Sequence, residues 1–186
     1  MYERCRECKL GDYREEKRYK IVWGSGNLSS KILVMGEAPG ENEAKLGKPF
    51  IGKSGNFFRN RLNKYFDVEN SSYIINTVLC RPPDNRQPSI AEVKACFPHV
   101  STVIFTMRPK IIVTAGKISS QWLSDFTGNP FEIYELSVAE IKTADLIFAW
   151  LPLYHPSYVM RSKEQTQRFE KVLESYKNLF KNVDML

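Results

Sequence analysis

With 186 residues, 42% of them hydrophobic and 26% charged, the chain has the composition of one globular domain and is too short for two comfortable ones. Lysine and arginine outnumber aspartate and glutamate 27 to 21, and the net charge of +6 favours a polyanionic partner without specifying one. No apolar run approaches the roughly 18 residues of a membrane span, and Met1-Tyr2-Glu3-Arg4-Cys5 carries no signal-peptide core, so a cytoplasmic location is expected.

In chain order, Lys31-Ile32-Leu33-Val34-Met35-Gly36 is a short apolar run closed by glycine, the pattern of a buried strand entering a loop. A helix opens at Ser54, with Phe57, Phe58, Leu62 and Phe66 at helical spacing. Tyr73 to Leu79 reads as a second buried strand ending at Cys80, and Ser89-x-x-Glu92 is a capping-box start for a helix through Val93 and Cys96, kinked or restarted at Pro98. Lys110 to Gly116 is a third strand, followed by a short helix around Ser119 to Leu123. Residues 125–143 form a loop with a small hairpin, Leu146 to Pro152 a fourth strand, and Lys163 to Lys181 a closing helix whose inner face carries Phe169, Val172, Leu173, Tyr176, Leu179 and Phe180. Apolar strands alternating with helices predict an α/β fold, a three-layer α/β/α domain spanning residues 1–186 on a central, mostly parallel four-stranded sheet. Ligands of such sheets sit at the carboxyl ends of the strands. These are residues 37–50, 76–83, 116–120 and 154–161.

The four cysteines fall as Cys5-x-x-Cys8, then Cys80 and Cys96 far downstream, bracketing the Pro-rich stretch 81–88. Four thiolates suffice for Zn²⁺ or a [4Fe–4S] cluster, and their wide separation requires a folded body to gather them. Two disulfides are the alternative, which neither chain size nor a reducing compartment calls for. Gly47-Lys48-Pro49-Phe50-Ile51-Gly52-Lys53-Ser54 fits the P-loop pattern letter for letter. A phosphate-cradling loop begins where its strand ends, whereas here the polar run 41–45 intervenes and Pro49 removes an amide, so nucleotide hydrolysis is not expected. Gly24-x-Gly26 precedes a strand instead of following one and reads as a turn.

Taken together and in this order, Gly36-Glu37-Ala38-Pro39-Gly40-Glu41-Asn42-Glu43, Gly47 to Gly52, Asn76-Thr77-Val78-Leu79-Cys80-Arg81-Pro82-Pro83 and Tyr154-His155-Pro156-Ser157 resemble the uracil-DNA glycosylase superfamily. With the four cysteines, the pattern is most similar to its iron–sulfur branch, family 4, over residues 5 to 161. The resemblance implies a monofunctional hydrolase that cleaves the N-glycosidic bond of deoxyuridine in single- or double-stranded DNA. It further implies a monomer associated with the nucleoid, and a structural [4Fe–4S] cluster on Cys5, Cys8, Cys80 and Cys96, with Zn²⁺ the second candidate occupant. No lysine is placed as a nucleophile for lyase chemistry.

Each motif has a chemical counterpart to that implication. A glycosylase must take the base out of the stack, grip it between an aromatic face and polar groups, and stabilise the leaving anion. Phe50, set by Pro49, is the expected stacking ring. Asn76 offers one acceptor and two donors, a match for uracil N3–H and O4 and a mismatch for cytosine. By resemblance, His155 donates to uracil O2 as a neutral imidazole. Ala38 and Gly40 belong to the base-binding loop. Ala38 stands where the best-known branch carries a water-positioning Asp, which leaves Glu37 as the candidate for polarising water, Glu41 second. Glu43 lies near C5 by resemblance and excludes thymine's methyl group. Ser157, Val159, Met160 and Arg161 form the expected wedge and phosphate contact, with Lys53, Arg81, Arg86 and Lys117 further phosphate candidates. A rival of another class is a non-catalytic, metal-stapled DNA-binding replication accessory protein of the same fold, which would bind DNA without releasing uracil.

Overall fold

The computed structural model describes residues 5–185. Four parallel strands form the centre of the sheet: β2 (Ile32–Gly36), β3 (Ser72–Asn76), β4 (Ile111–Ala115) and β6 (Leu146–Leu153). They are the four strands expected from the apolar runs. Two antiparallel edge strands, β1 (Ser25–Gly26) beside β3 and β5 (Ser137–Ile141) beside β6, make the sheet six-stranded, in the order β1-β3-β2-β4-β6-β5. This corrects the four-strand count. With two residues β1 is too short to show a period, and β5 belongs to the expected hairpin, exposing Val138 and Glu140 while burying Ala139 and Ile141.

Alternation along the central strands divides the core between two faces. Leu33, Met35, Ile75 and Ile112 pack with Val100 and Ile104 of α4 (Ile90–Met107) and Trp122 and Leu123 of α5 (Lys117–Thr127). Ile32, Val34, Ile74 and Val113 pack with Phe58 and Leu62 of α3 (Lys53–Leu62), Phe169 and Leu173 of α7 (Lys163–Ser175), and Phe180 of α8 (Lys177–Lys181). Each fully buried aliphatic side chain contributes about 1.5–3 kcal/mol, which is what holds helices on both faces of the sheet. The closing helix expected over 163–181 is interrupted at Tyr176. Among the described residues no helix is long and apolar enough to cross a membrane.

Local signals determine how these elements begin and end. Ser89 Oγ accepts from the Glu92 amide at 3.3 Å and Glu92 accepts from the Ser89 amide at 2.7 Å, completing the expected capping box of α4, which runs unbroken through Pro98. The second apolar run leaves the sheet earlier than expected, at Asn76 instead of Leu79. There Thr77 and Val78 turn their amides onto the carbonyls of Gly36 and Glu37, while the Leu79 carbonyl accepts from Val22. Residues 78–80 remain apolar because they are buried beside α4, so hydropathy alone does not mark the strand's end.

Candidate active site

At the carboxyl edge of the parallel strands lies an open cleft of about 1090 Å³. Its floor begins where β2 and β3 end side by side, with Gly36 opposite Asn76 in the register. A methyl group on Gly36 would run into both Asn76 Oδ1 and the Phe50 ring, so glycine there clears the space in which the amide and the ring come together. Asn76 is 3% exposed, and its side-chain amide makes no hydrogen bond to any described residue, although it lines the cleft. The amide therefore presents its acceptor and its two donors to the cleft.

Phe50 sits in the turn between α2 (Glu41–Leu46) and α3, with φ of 56°, a left-handed conformation uncommon for a bulky residue. Gly55 makes it possible, because a Cβ there would collide with the Phe50 backbone. Phe58 supports the ring from below at a centroid distance of 5.8 Å. From α2, Glu43 reaches over and accepts the amides of Ile51 at 3.1 Å and Gly52 at 2.7 Å.

The opposite wall follows β4 and β6. Trp150 Nε1 donates to Thr114 Oγ1 at 2.9 Å, Thr114 pairs with Ser120 Oγ at 2.8 Å, and Ser120 donates to the Gly116 carbonyl at 3.0 Å, a satisfied buried chain that fixes the start of α5. Gly116, with φ of 107°, carries His155 against it, the His155 Cβ lying 3.0 Å from where a Gly116 Cβ would stand. The Ser157 amide donates to His155 Nδ1 at 3.2 Å, and Ser157 Oγ lies 2.7 Å from the same nitrogen. Nδ1 is therefore the acceptor and the neutral ring carries its proton on Nε2. Burial pushes the imidazole pKa down, which favours that neutral form.

Glu37 lines the same cleft. Its carbonyl accepts from Thr77 Oγ1 at 2.8 Å and the Val78 amide at 3.1 Å, while its carboxylate has no partner among the described residues. Burial holds its pKa above the ordinary carboxylate range. Ala38, Gly40, Glu43, Lys53, Lys117, Ser157, Met160 and Arg161 line the cleft as well, and Tyr154 and Tyr158 join them, their rings 4.8 Å apart. Glu41 is paired with Lys45 at 2.6 Å.

Three expected DNA contacts have other engagements. Arg81 is buried, with Nε on Asn85 Oδ1 at 2.8 Å and a terminal nitrogen on the Tyr19 hydroxyl at 3.0 Å. Arg86 reaches the cleft rim but forks onto Glu92 at 2.9 and 2.6 Å. Val159 in α6 (Pro156–Val159) is 0% exposed, packed in the core with Phe169, and leaves the surface of the tip to Tyr158 and Met160. Lys53 and Lys117 form no ion pair among the described residues.

On the other side of the sheet edge, Cys5, Cys8, Cys80 and Cys96 line one small cavity together with Trp23, Leu79 and His99. None of the four forms a disulfide among the described residues. Burial is the main cause that pushes Cys80 up to about 12 and Cys96 up to about 11, and it also raises Cys8. Among the described residues no three His, Cys, Asp or Glu are drawn together around a single metal-ion position. The four cysteines nonetheless line one cavity, and an all-thiol set is the chemistry that suits a soft metal centre.

The strand order reverses between β2 and β4, and the cleft opens at that switch point, the place where open α/β sheets bind their ligands. The family model described as the uracil DNA glycosylase superfamily matches residues 23–179, and the chain belongs to that superfamily. It is similar to the type-4 uracil-DNA glycosylase of Sulfurisphaera tokodaii, 32% identical over 182 residues, covering 91% of this chain and 79% of the relative. The type-4 uracil-DNA glycosylase of Saccharolobus solfataricus is 33% identical, covering 92% and 82%, and that of Pyrobaculum aerophilum 30% identical, covering 95% and 89%.

Proposed function

We propose that this chain is a DNA-repair uracil-DNA glycosylase that hydrolyses the N-glycosidic bond of deoxyuridine and leaves an abasic site. The observation that carries this reading is the Asn76 amide, without a partner among the described residues and facing the cleft beside the Phe50 ring. Extruded uracil stacks on Phe50 and exchanges two hydrogen bonds with Asn76, through N3–H and O4. Backbone groups of Ala38 and Gly40 flank the base, and Glu43 on the C5 side disfavours thymine's methyl group. As the glycosidic bond breaks, negative charge grows on O2 and His155 Nε2–H donates to it. The Glu37 carboxylate polarises the water that attacks C1′ and balances the cationic sugar. Lys53, Lys117 and Arg161 contact phosphates at the rim, and Tyr158 with Met160 fills the gap left by the extruded nucleotide.

Incubating the protein with a uracil-containing oligonucleotide, then with alkali, should cut the strand at the uracil. Binding of that oligonucleotide with no uracil released would overturn this reading in favour of the non-catalytic accessory protein.

The cysteine set is proposed to hold a [4Fe–4S] cluster. Cys5, Cys8, Cys80 and Cys96 supply four thiolates and no further ligand is required. Bound there, the group supplies a covalent tie between the N-terminal arm and the 80–96 segment. That segment carries Pro82, Asn85, Arg86 and Gln87 to the cleft, so the tie would steady one wall of it. Anaerobically purified protein should be brown, with visible absorption that Cys96→Ala abolishes along with a fall in Tm. A colourless preparation containing stoichiometric zinc would assign the site to Zn²⁺ instead.

A further inference from the structure

Glu43 is the one carboxylate of the cleft whose side chain is committed to the backbone. It is 8% exposed, and both amide bonds, from Ile51 and Gly52, fall on the same oxygen, Oε1. The second oxygen lies against Gly40 and Gly52, where Cβ atoms would stand 2.8 and 3.2 Å away. These two amides immediately follow Phe50, whose left-handed backbone sets the direction of its ring. Residues held in this region are strained and persist only where their surroundings over-determine them. Three features over-determine this turn. Gly55 admits the Phe50 backbone, Phe58 supports the ring, and Glu43 holds the two amides beyond it.

Resting on the glycosylase reading, we propose that Glu43 is a positioning residue for Phe50: by gathering the Ile51 and Gly52 amides on one oxygen, it locks the turn that swings the stacking ring over Gly36. The role needs an acceptor oxygen and no charge. It differs from guarding the base's C5 edge, which depends on the bulk and charge of the carboxylate facing the ligand. Because the turn joins α2 to α3, the same side chain couples the Gly40 end of the base-binding loop to the stacking ring.

The test compares Glu43→Gln, Glu43→Ala, Phe50→Ala and the Glu43→Ala/Phe50→Ala double variant in single-turnover uracil excision. Glu43→Gln keeps a carbonyl acceptor for both amides and should hold their protection and lose much less excision than Glu43→Ala. Glu43→Ala should lose roughly 10²-fold, the scale expected when a reacting group is misplaced by about 1 Å. In the double variant, Glu43→Ala should add no loss to Phe50→Ala, since residues acting through one another are not additive. Hydrogen exchange of the Ile51 and Gly52 amides supplies a readout independent of catalysis, fast in Glu43→Ala and protected in wild type and Glu43→Gln. The proposal is overturned if Glu43→Gln falls as far as Glu43→Ala, if the two single losses add, or if those amides are equally protected in Glu43→Ala. Should Glu43→Ala not fold, Glu43→Gln decides by amide protection alone, and fast exchange at Ile51 and Gly52 in it would overturn the proposal. Wild-type protein that released no uracil would instead remove the glycosylase reading and leave the amide measurement standing.

Discussion

Asn76→Ala is expected to lower uracil excision by about 10³-fold while leaving the fold intact. Two buried groups of the base, N3–H and O4, lose their partners, and each unsatisfied group costs about 1–3 kcal/mol. The loss should appear in the chemical step and in inhibition by free uracil, with affinity for abasic DNA unchanged, because the amide touches only the base. Stability should hold. The residue is 3% exposed overall, but its amide faces the open cleft and bonds to no described residue, so alanine removes no bond that holds the fold. A variant that excised uracil like the wild type would show that Asn76 does not grip the base, and the assignment of the cleft would fail with it. Partial unfolding, read by circular dichroism, would assign the residue to structure instead.

How far this site can be seen in the amino-acid order depends on the kind of residue. The four central strands were legible because both of their faces are covered, which makes them near-continuous apolar runs. The start of α4 was legible because a capping box is a local device with its own spacing. Phe50, Asn76 and His155 stand at strand-end motifs, and the fold brings all three to one cleft. Charge does not disclose its partners. Arg81 and Arg86 have the composition of phosphate ligands, but their partners, Tyr19 and Asn85 for one and Glu92 for the other, are set by tertiary packing that spacing does not encode. Val159 misled for the complementary reason: an apolar residue beside an active-site loop suits an exposed wedge and a core position equally well, and here the core holds it. The left-handed turn at Phe50 had only Pro49 as a local sign. Its supports, Gly55 and Glu43, lie five and seven residues away on either side and act through contacts visible only once the chain is folded.

For His155→Ala the expected loss is about 10²–10³-fold in excision rate, corresponding to about 2.7–4 kcal/mol for one preorganised donor. The donor's character follows from its surroundings. With Nδ1 accepting from Ser157, the proton belongs on Nε2, and a second proton would have to displace those bonds. Burial pushes the same way, holding the pKa below the ordinary imidazole value, so the neutral ring persists to lower pH than an exposed histidine would allow. Glu37 shifts in the opposite direction. Burial raises its pKa, and a carboxylate must be ionised to polarise water, so activity should fall on acidification at a pH above that of an ordinary carboxylate. The rate should therefore be flat from neutral pH upward, with a single acid limb that Glu37→Gln removes along with most of the activity. An imidazolium acting as a full acid would give the reverse trend, a rate climbing as pH falls through the histidine range. A wild-type profile of that shape, or a His155→Ala variant with near-native excision, would refute the neutral-donor mechanism. The acid limb and its loss in Glu37→Gln would still report independently on the water-activating carboxylate.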